Sequence, residues 1–224
     1  MWLRFINNRI NKQISGMRLV VLLLGVLIIS CKFNNNKKYP AKFTHKENRT
    51  IFIQPFASID SSYITYFKNH IEDFYKVEVK ILNTASLSAN AFYSLRKRYI
   101  ADSLLQHLKT KSLNPDVYVL GLTSKDISTQ NEGCVNWGVM GLGFMPDNAC
   151  VISVFRLKKR INTRQQVYER LLKVAIHELG HNFGLAHCPN QFCIMVDAEG
   201  KNKLDGEKKL CKNCTNFLHN KGIL

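Results

Sequence analysis

Eleven residues in the C-terminal third constrain this chain more than any others: His177-Glu178-Leu179-Gly180-His181-Asn182-Phe183-Gly184-Leu185-Ala186-His187. Histidines four apart on a helix project from one face, so the rings of His177 and His181 can bind a single ion. Glu178 sits beside the first of them, where its carboxylate can reach a water on that ion. Gly184 suits the positive φ that stops a helix and turns the chain sharply, which brings His187 round as a third donor. Three nitrogens leave the fourth position of tetrahedral zinc open, as in a catalytic rather than a structural site. The expected chemistry is hydrolysis: zinc lowers the pKa of its water, Glu178 takes the proton as general base, and the same carboxyl protonates the leaving amine. A bare His-Glu-x-x-His is also found at ordinary amphipathic helix ends, but Gly184 and His187 at this spacing argue against that reading.

Upstream, the hydrophobic periodicity predicts strands over residues 50–56, 77–82, 117–122 and 150–157 and helices over 61–75, 94–111 and 163–183. A glycine-rich stretch, 133–144, reads as a hairpin or edge strand, with Gly138, Gly141 and Gly143 keeping its backbone accessible. Strands that alternate with helices indicate an α/β fold of packed sheet and helices, and the segment after residue 183 reads as irregular and cysteine-rich. A hydrophobic content of 46% with 21% charged residues is that of a globular chain rather than a disordered one.

The first thirty residues read as a targeting segment. An unbroken apolar run, residues 19–29, follows Arg18; at about eleven residues it suits a signal-peptide core and falls short of a membrane span. It ends Ile28-Ile29-Ser30-Cys31, which resembles the lipobox of bacterial lipoproteins, with Cys31 as the residue that is lipidated; an uncleaved N-terminal anchor is the other reading. Translation from either Met1 or Met17 supplies a basic start. Residues 31–48, rich in Asn and Lys, read as a flexible tether, leaving 49–224 as one folded domain. Four of the 32 basic residues and none of the 16 acidic ones lie before Cys31, so the remainder carries +12 of the formal +16. The basic residues are dispersed, no nucleic-acid-binding motif is present, and a solvated basic surface accounts for the charge.

Behind His187 come Cys188, Cys193-Ile194-Met195 and Cys211-Lys212-Asn213-Cys214. Four cysteines at this spacing can bind zinc or form two disulfides, and Cys-x-x-Cys suits zinc better than a strained local bridge. The whole arrangement from His177 to Cys214 resembles the archaemetzincins, with looser support from the segments Leu120 to Asp126 and Val151 to Leu157, which look like the family's core strands. The resemblance implies a metzincin-like mixed twisted sheet with packed helices, a zinc-binding active-site helix and a short Cys-rich C-terminal part. It implies a second, structural zinc on Cys188, Cys193, Cys211 and Cys214, with Met195 as a hydrophobic floor under the catalytic site. It also implies that residues 135–140 form the edge strand along which an extended peptide lies. Cys134 and Cys150, at the two ends of the hairpin, could pair or stay free. His45, His70, His107 and His219 lack ligand spacing.

The expectation is therefore a zinc metallopeptidase acting on peptide or protein substrates. It holds two Zn2+ ions per chain, is monomeric, and is lipid-anchored at a bacterial membrane facing the periplasm or the cell exterior, with no nucleic-acid partner. The alternative is a catalytically inactive, zinc-stabilised lipoprotein that binds peptides without cleaving them.

Overall fold

A computed structural model describes residues 49–224 apart from 57, 113, 132–133, 162, 199–203 and 207, and also apart from the side chains of 131, 134 and 135. Cys31, the apolar run, both start methionines, the tether and His45 lie outside the described residues. The elements run β1 (Thr50–Pro55), α1 (Ser61–Tyr75), β2 (Glu78–Ile81), β3 (Phe92–Tyr93), β4 (Arg98–Ile100), α2 (Ala101–Lys109), β5 (Val117–Thr123), β6 (Ile127–Asn131), β7 (Cys134–Val139), β8 (Gly141–Gly143), β9 (Ala149–Ser153), α3 (Arg164–Asn182) and α4 (Lys212–Asn220). The fold is mixed α/β, as the alternation of periods indicates.

Five strands form the main sheet in the order β2-β1-β5-β9-β8. The first four are mutually parallel, and β8 closes one edge antiparallel to β9. Successive residues of the central strands serve opposite faces. Tyr118, Leu120, Cys150 and Ile152 join Phe67 and Ile71 of α1 and Leu171, Ala175 and Leu179 of α3 in one core. Val119, Ala149 and Val151 join Leu104, Leu105 and Leu108 of α2 in a second core. Burial on both faces explains why β5 reads Val-Tyr-Val-Leu-Gly-Leu-Thr rather than alternating with polar residues. Gly121 is required there: a Cβ would come within 2.7 Å of Leu108 Cδ1 and 3.0 Å of the Phe56 ring, so its absence lets α2 seat on the sheet.

A smaller sheet, β3-β4-β6-β7, lies beside this layer. Asp126 ties it to the end of β9, accepting hydrogen bonds from Arg98 Nε at 2.8 Å and Arg156 Nε at 2.7 Å.

Two segments depart from the periodicity. The helix expected over 94–111 begins only at Ala101. Lys97 adopts a left-handed φ of +52°, and Tyr99 and Ile100 instead pair with β6, so strand partners override local helix spacing; Leu95 is left 82% exposed. The strand expected over 150–157 stops at Ser153 and gives way to a 3-10 turn, Arg156–Lys158. The tail expected to be irregular contains α4, whose Cys214 and Leu218 are buried. Its end is marked by Gly222 at φ +62°, with Ile223 N–H donating to Leu218 O and Gly222 N–H to His219 O, the pairing of a Schellman stop.

Candidate metal centres and active site

Helix α3 starts on a capping box, with the Thr163 side chain accepting from Gln166 N–H and the Gln166 side chain accepting from Thr163 N–H. It ends on a second Schellman stop: Gly184, at φ +97°, donates its N–H to His181 O, and Leu185 N–H reaches back to Gly180 O. The chain reverses there, and the ring of His187 arrives 5.3 Å from that of His177 and 4.8 Å from that of His181, centroid to centroid. The three imidazoles of His177, His181 and His187 each offer a nitrogen within 4.8 Å of the others.

The hydrogen bonds define which nitrogens face inward. His177 Nδ1 lies 2.8 Å from Ile194 O, and His181 Nδ1 lies 2.7 Å from Leu185 O. A carbonyl only accepts, so both Nδ1 atoms carry the proton and both Nε2 atoms present lone pairs. Those two Nε2 atoms are 3.0 Å apart. Burial lowers the pKa of His177 to about 4 and that of His181 in the same direction, so both rings stay neutral at pH 7. Two lone pairs aimed at each other without a proton between them repel. A divalent cation bound by both removes the conflict, and the donor set is that of zinc.

Glu178 is buried beside this cluster. Its Oε1 would lie 2.6 Å from a Cβ at Gly141, and its backbone oxygen 2.9 Å from one at Gly143, so β8 can lie against the carboxylate only because both positions are glycine. Burial raises its pKa to about 8, opposed by the backbone N–H of Gly143. The edge strand beside Glu178 is β8, and residues 135–140 form most of β7, an edge strand of the smaller sheet.

Cys188, Cys193, Cys211 and Cys214 also converge. The Cys188–Cys211 and Cys193–Cys214 sulfur pairs are each 3.7 Å apart, and all four thiols are free. A tetrahedron with metal–sulfur bonds of about 2.3 Å has edges of about 3.8 Å, so the spacing fits zinc and is far too long for disulfides. The backbone N–H of Cys214 contributes most to lowering the Cys211 thiol to about 7. Cys150 is a free thiol in the main core, pushed well up by burial.

Met195 is fully buried, and its sulfur would lie 2.6 Å from a Cβ at Gly180, so a glycine between the two helical histidines admits it against α3. His70 and His219 sit on exposed faces, as does His107. Sequence reasoning missed Asp197, whose Oδ2 lies 3.5 Å from His187 Nδ1. An acid two residues past Met195 was its only trace in the sequence. A pocket of about 450 Å³ adjoins His187, walled by Leu185, Pro189, Lys212 and Phe217.

In zinc-free protein, Glu178 binds a proton more tightly when folded (about 8) than when unfolded (4.5). Its contribution to stability is therefore fully present below the unfolded value and lost as pH rises through the folded one. Zinc-free Glu178→Gln escapes that loss. Its melting temperature should gain on the parent's as pH is raised from about 5 to about 9, whereas a constant difference contradicts the buried carboxyl.

Comparison with known proteins follows the same lines. Residues 52–220 match the family profile of Peptidase family M54. The archaemetzincin of Methanopyrus kandleri is 35% identical over 161 residues, spanning 70% of this chain and 87% of that protein. The archaemetzincin of Pyrococcus furiosus is 30% identical over 184 residues, spanning 75% of this chain and 91% of that protein. The crystal structure of the Methanopyrus kandleri protein superposes with a TM-score of 0.66 at 30% identity, covering 80% of this chain and 97% of that one. The Archaeoglobus fulgidus archaemetzincin, complexed with malonate, superposes at 0.64 with 29% identity, covering 75% and 99%. The family match outweighs the reading of a peptide binder that does not cleave: the chain belongs to peptidase family M54, the archaemetzincins, and is a zinc metallopeptidase.

Proposed function

We propose that this peptidase uses His177, His181 and His187 to hold a catalytic zinc, Glu178 as general base, and Cys188, Cys193, Cys211 and Cys214 to hold a second, structural zinc. The observation that carries this reading is the 3.0 Å approach of two unprotonated Nε2 atoms whose Nδ1 partners are already committed to carbonyls. When bound, zinc supplies a Lewis acid that acidifies water and polarises the scissile carbonyl.

The chain's own groups do the rest. Glu178 accepts the proton of the attacking water and returns it to the leaving amine, and a carboxyl held near neutrality by burial suits both halves of that task. Gly141 and Gly143 leave the edge of β8 free of side chains beside the carboxylate, so an extended peptide can add to the sheet there through its backbone. Met195, packed against Gly180, keeps the floor under the imidazoles apolar.

Incubated with a mixed peptide library, the protein should give cleavage products that vanish with chelator. Glu178→Ala should bind two zinc ions per chain, as the parent does, and lose about 10²–10⁴-fold in turnover. Undiminished cleavage by that variant contradicts the general-base assignment, and one zinc per parent chain contradicts the two-centre reading.

We also propose that the domain works as a monomer tethered to a bacterial membrane through lipidated Cys31, on the periplasmic or outer side. The support is the apolar run at 19–29 ending in Ile28-Ile29-Ser30-Cys31. None of the helices among the described residues is long and apolar enough to cross a membrane. A palmitate analogue should label the protein in bacteria and leave Cys31→Ala unlabelled; equal labelling of the two removes the anchor.

A further inference from the structure

The three imidazoles are not held in the same way. His177 and His181 stand on a helix and each donates from Nδ1 to a backbone carbonyl at hydrogen-bond distance. His187 lies beyond the Gly184 reversal on an irregular segment, and its side chain is 48% exposed. Among the described residues, neither a helix nor a backbone acceptor orients it. What the structure places against its Nδ1 is Asp197, at 3.5 Å, an ion-pair separation rather than a formed hydrogen bond.

We propose that Asp197 is the positioning residue of the third ligand: its carboxylate keeps the proton on His187 Nδ1, aims Nε2 inward, and strengthens zinc binding at the three-histidine site. This inference rests on the three-histidine reading above. A carboxylate behind a metal-bound imidazole selects the tautomer and raises the basicity of the ligating nitrogen. A freely turning ring on a loop must otherwise lose its rotational freedom on binding the ion, and a fixed negative charge reduces that loss.

The chain returns to this point by way of Met195, whose carbonyl accepts from Cys188 N–H at 2.8 Å, so Asp197 follows directly on an anchored segment. The pair itself is too exposed to add appreciably to folding stability. Its effect is to be sought in the metal equilibrium.

The test is chelator competition on the full chain, following each zinc ion by native mass spectrometry. Zinc on the four thiolates serves as the folding control in every sample. Asp197→Asn and Asp197→Ala should weaken the more labile, histidine-bound zinc about 10–100-fold, while Asp197→Glu should restore most of the loss. Unchanged affinity in Asn and Ala overturns the proposal, and so does a loss that Glu fails to relieve, because that outcome marks a merely structural residue. If the parent chain itself holds no histidine-bound zinc, the three-histidine reading fails, an outcome distinct from failure of the Asp197 assignment.

Discussion

Two nitrogen lone pairs held 3.0 Å apart, with no proton available to lie between them, are the constraint from which the rest of this architecture follows. The proposed cation would relieve that approach, and the surrounding structure holds the arrangement in place. The sheet and α1 bury one side of α3 along its length, fixing the helix that carries two of the rings. Asn182, at its last turn, donates to Phe144 O and Ala149 O, so the strand pair β8–β9 is pinned to the same helix. The edge strand, the carboxylate and the imidazoles are thereby held as one unit.

The two proposed metal sites share their scaffold. His187 and Cys188 are neighbours in sequence and face different clusters. Ile194, whose carbonyl fixes the His177 ring, sits between Cys193 of the thiolate cluster and Met195 of the floor. Ile194 N–H in turn donates to Lys209 O, two residues before Cys211. The thiolate centre thus acts as a clasp for an irregular segment that has little regular secondary structure of its own. The structural zinc proposed there would supply the stability a short loop-rich region cannot draw from a core.

Much of this was legible in the residues because the relevant signals are local. The Thr163–Gln166 capping box, the helical spacing of 177 and 181 and the Gly184 stop each act within a turn of chain, and α1 and α3 match the ranges read from periodicity to within a residue. What was not legible depends on partners remote in sequence. The segment 98–100 lies in a stretch of helical spacing yet becomes β4, because β6 offers it hydrogen bonds. The helix α4 was hidden by attention to its cysteines as ligands, although Cys214, Phe217 and Leu218 recur at helical spacing before Gly222. That β8 borders Glu178 follows from which sheet each strand joins, and no pattern in the strand sequences encodes that choice. The approach of Asp197 to His187 is visible only once the loop is folded back.

The central claim concerns where cations sit, and diffraction with anomalous signal recorded at the zinc absorption edge addresses it most directly. The account predicts two peaks per chain. One should lie at about 2.0–2.1 Å from Nε2 of His177, His181 and His187 with a non-protein oxygen completing the shell, and the other at about 2.3 Å from four sulfurs. A single peak at the cysteines, or a fourth protein atom closing the histidine site, would contradict it.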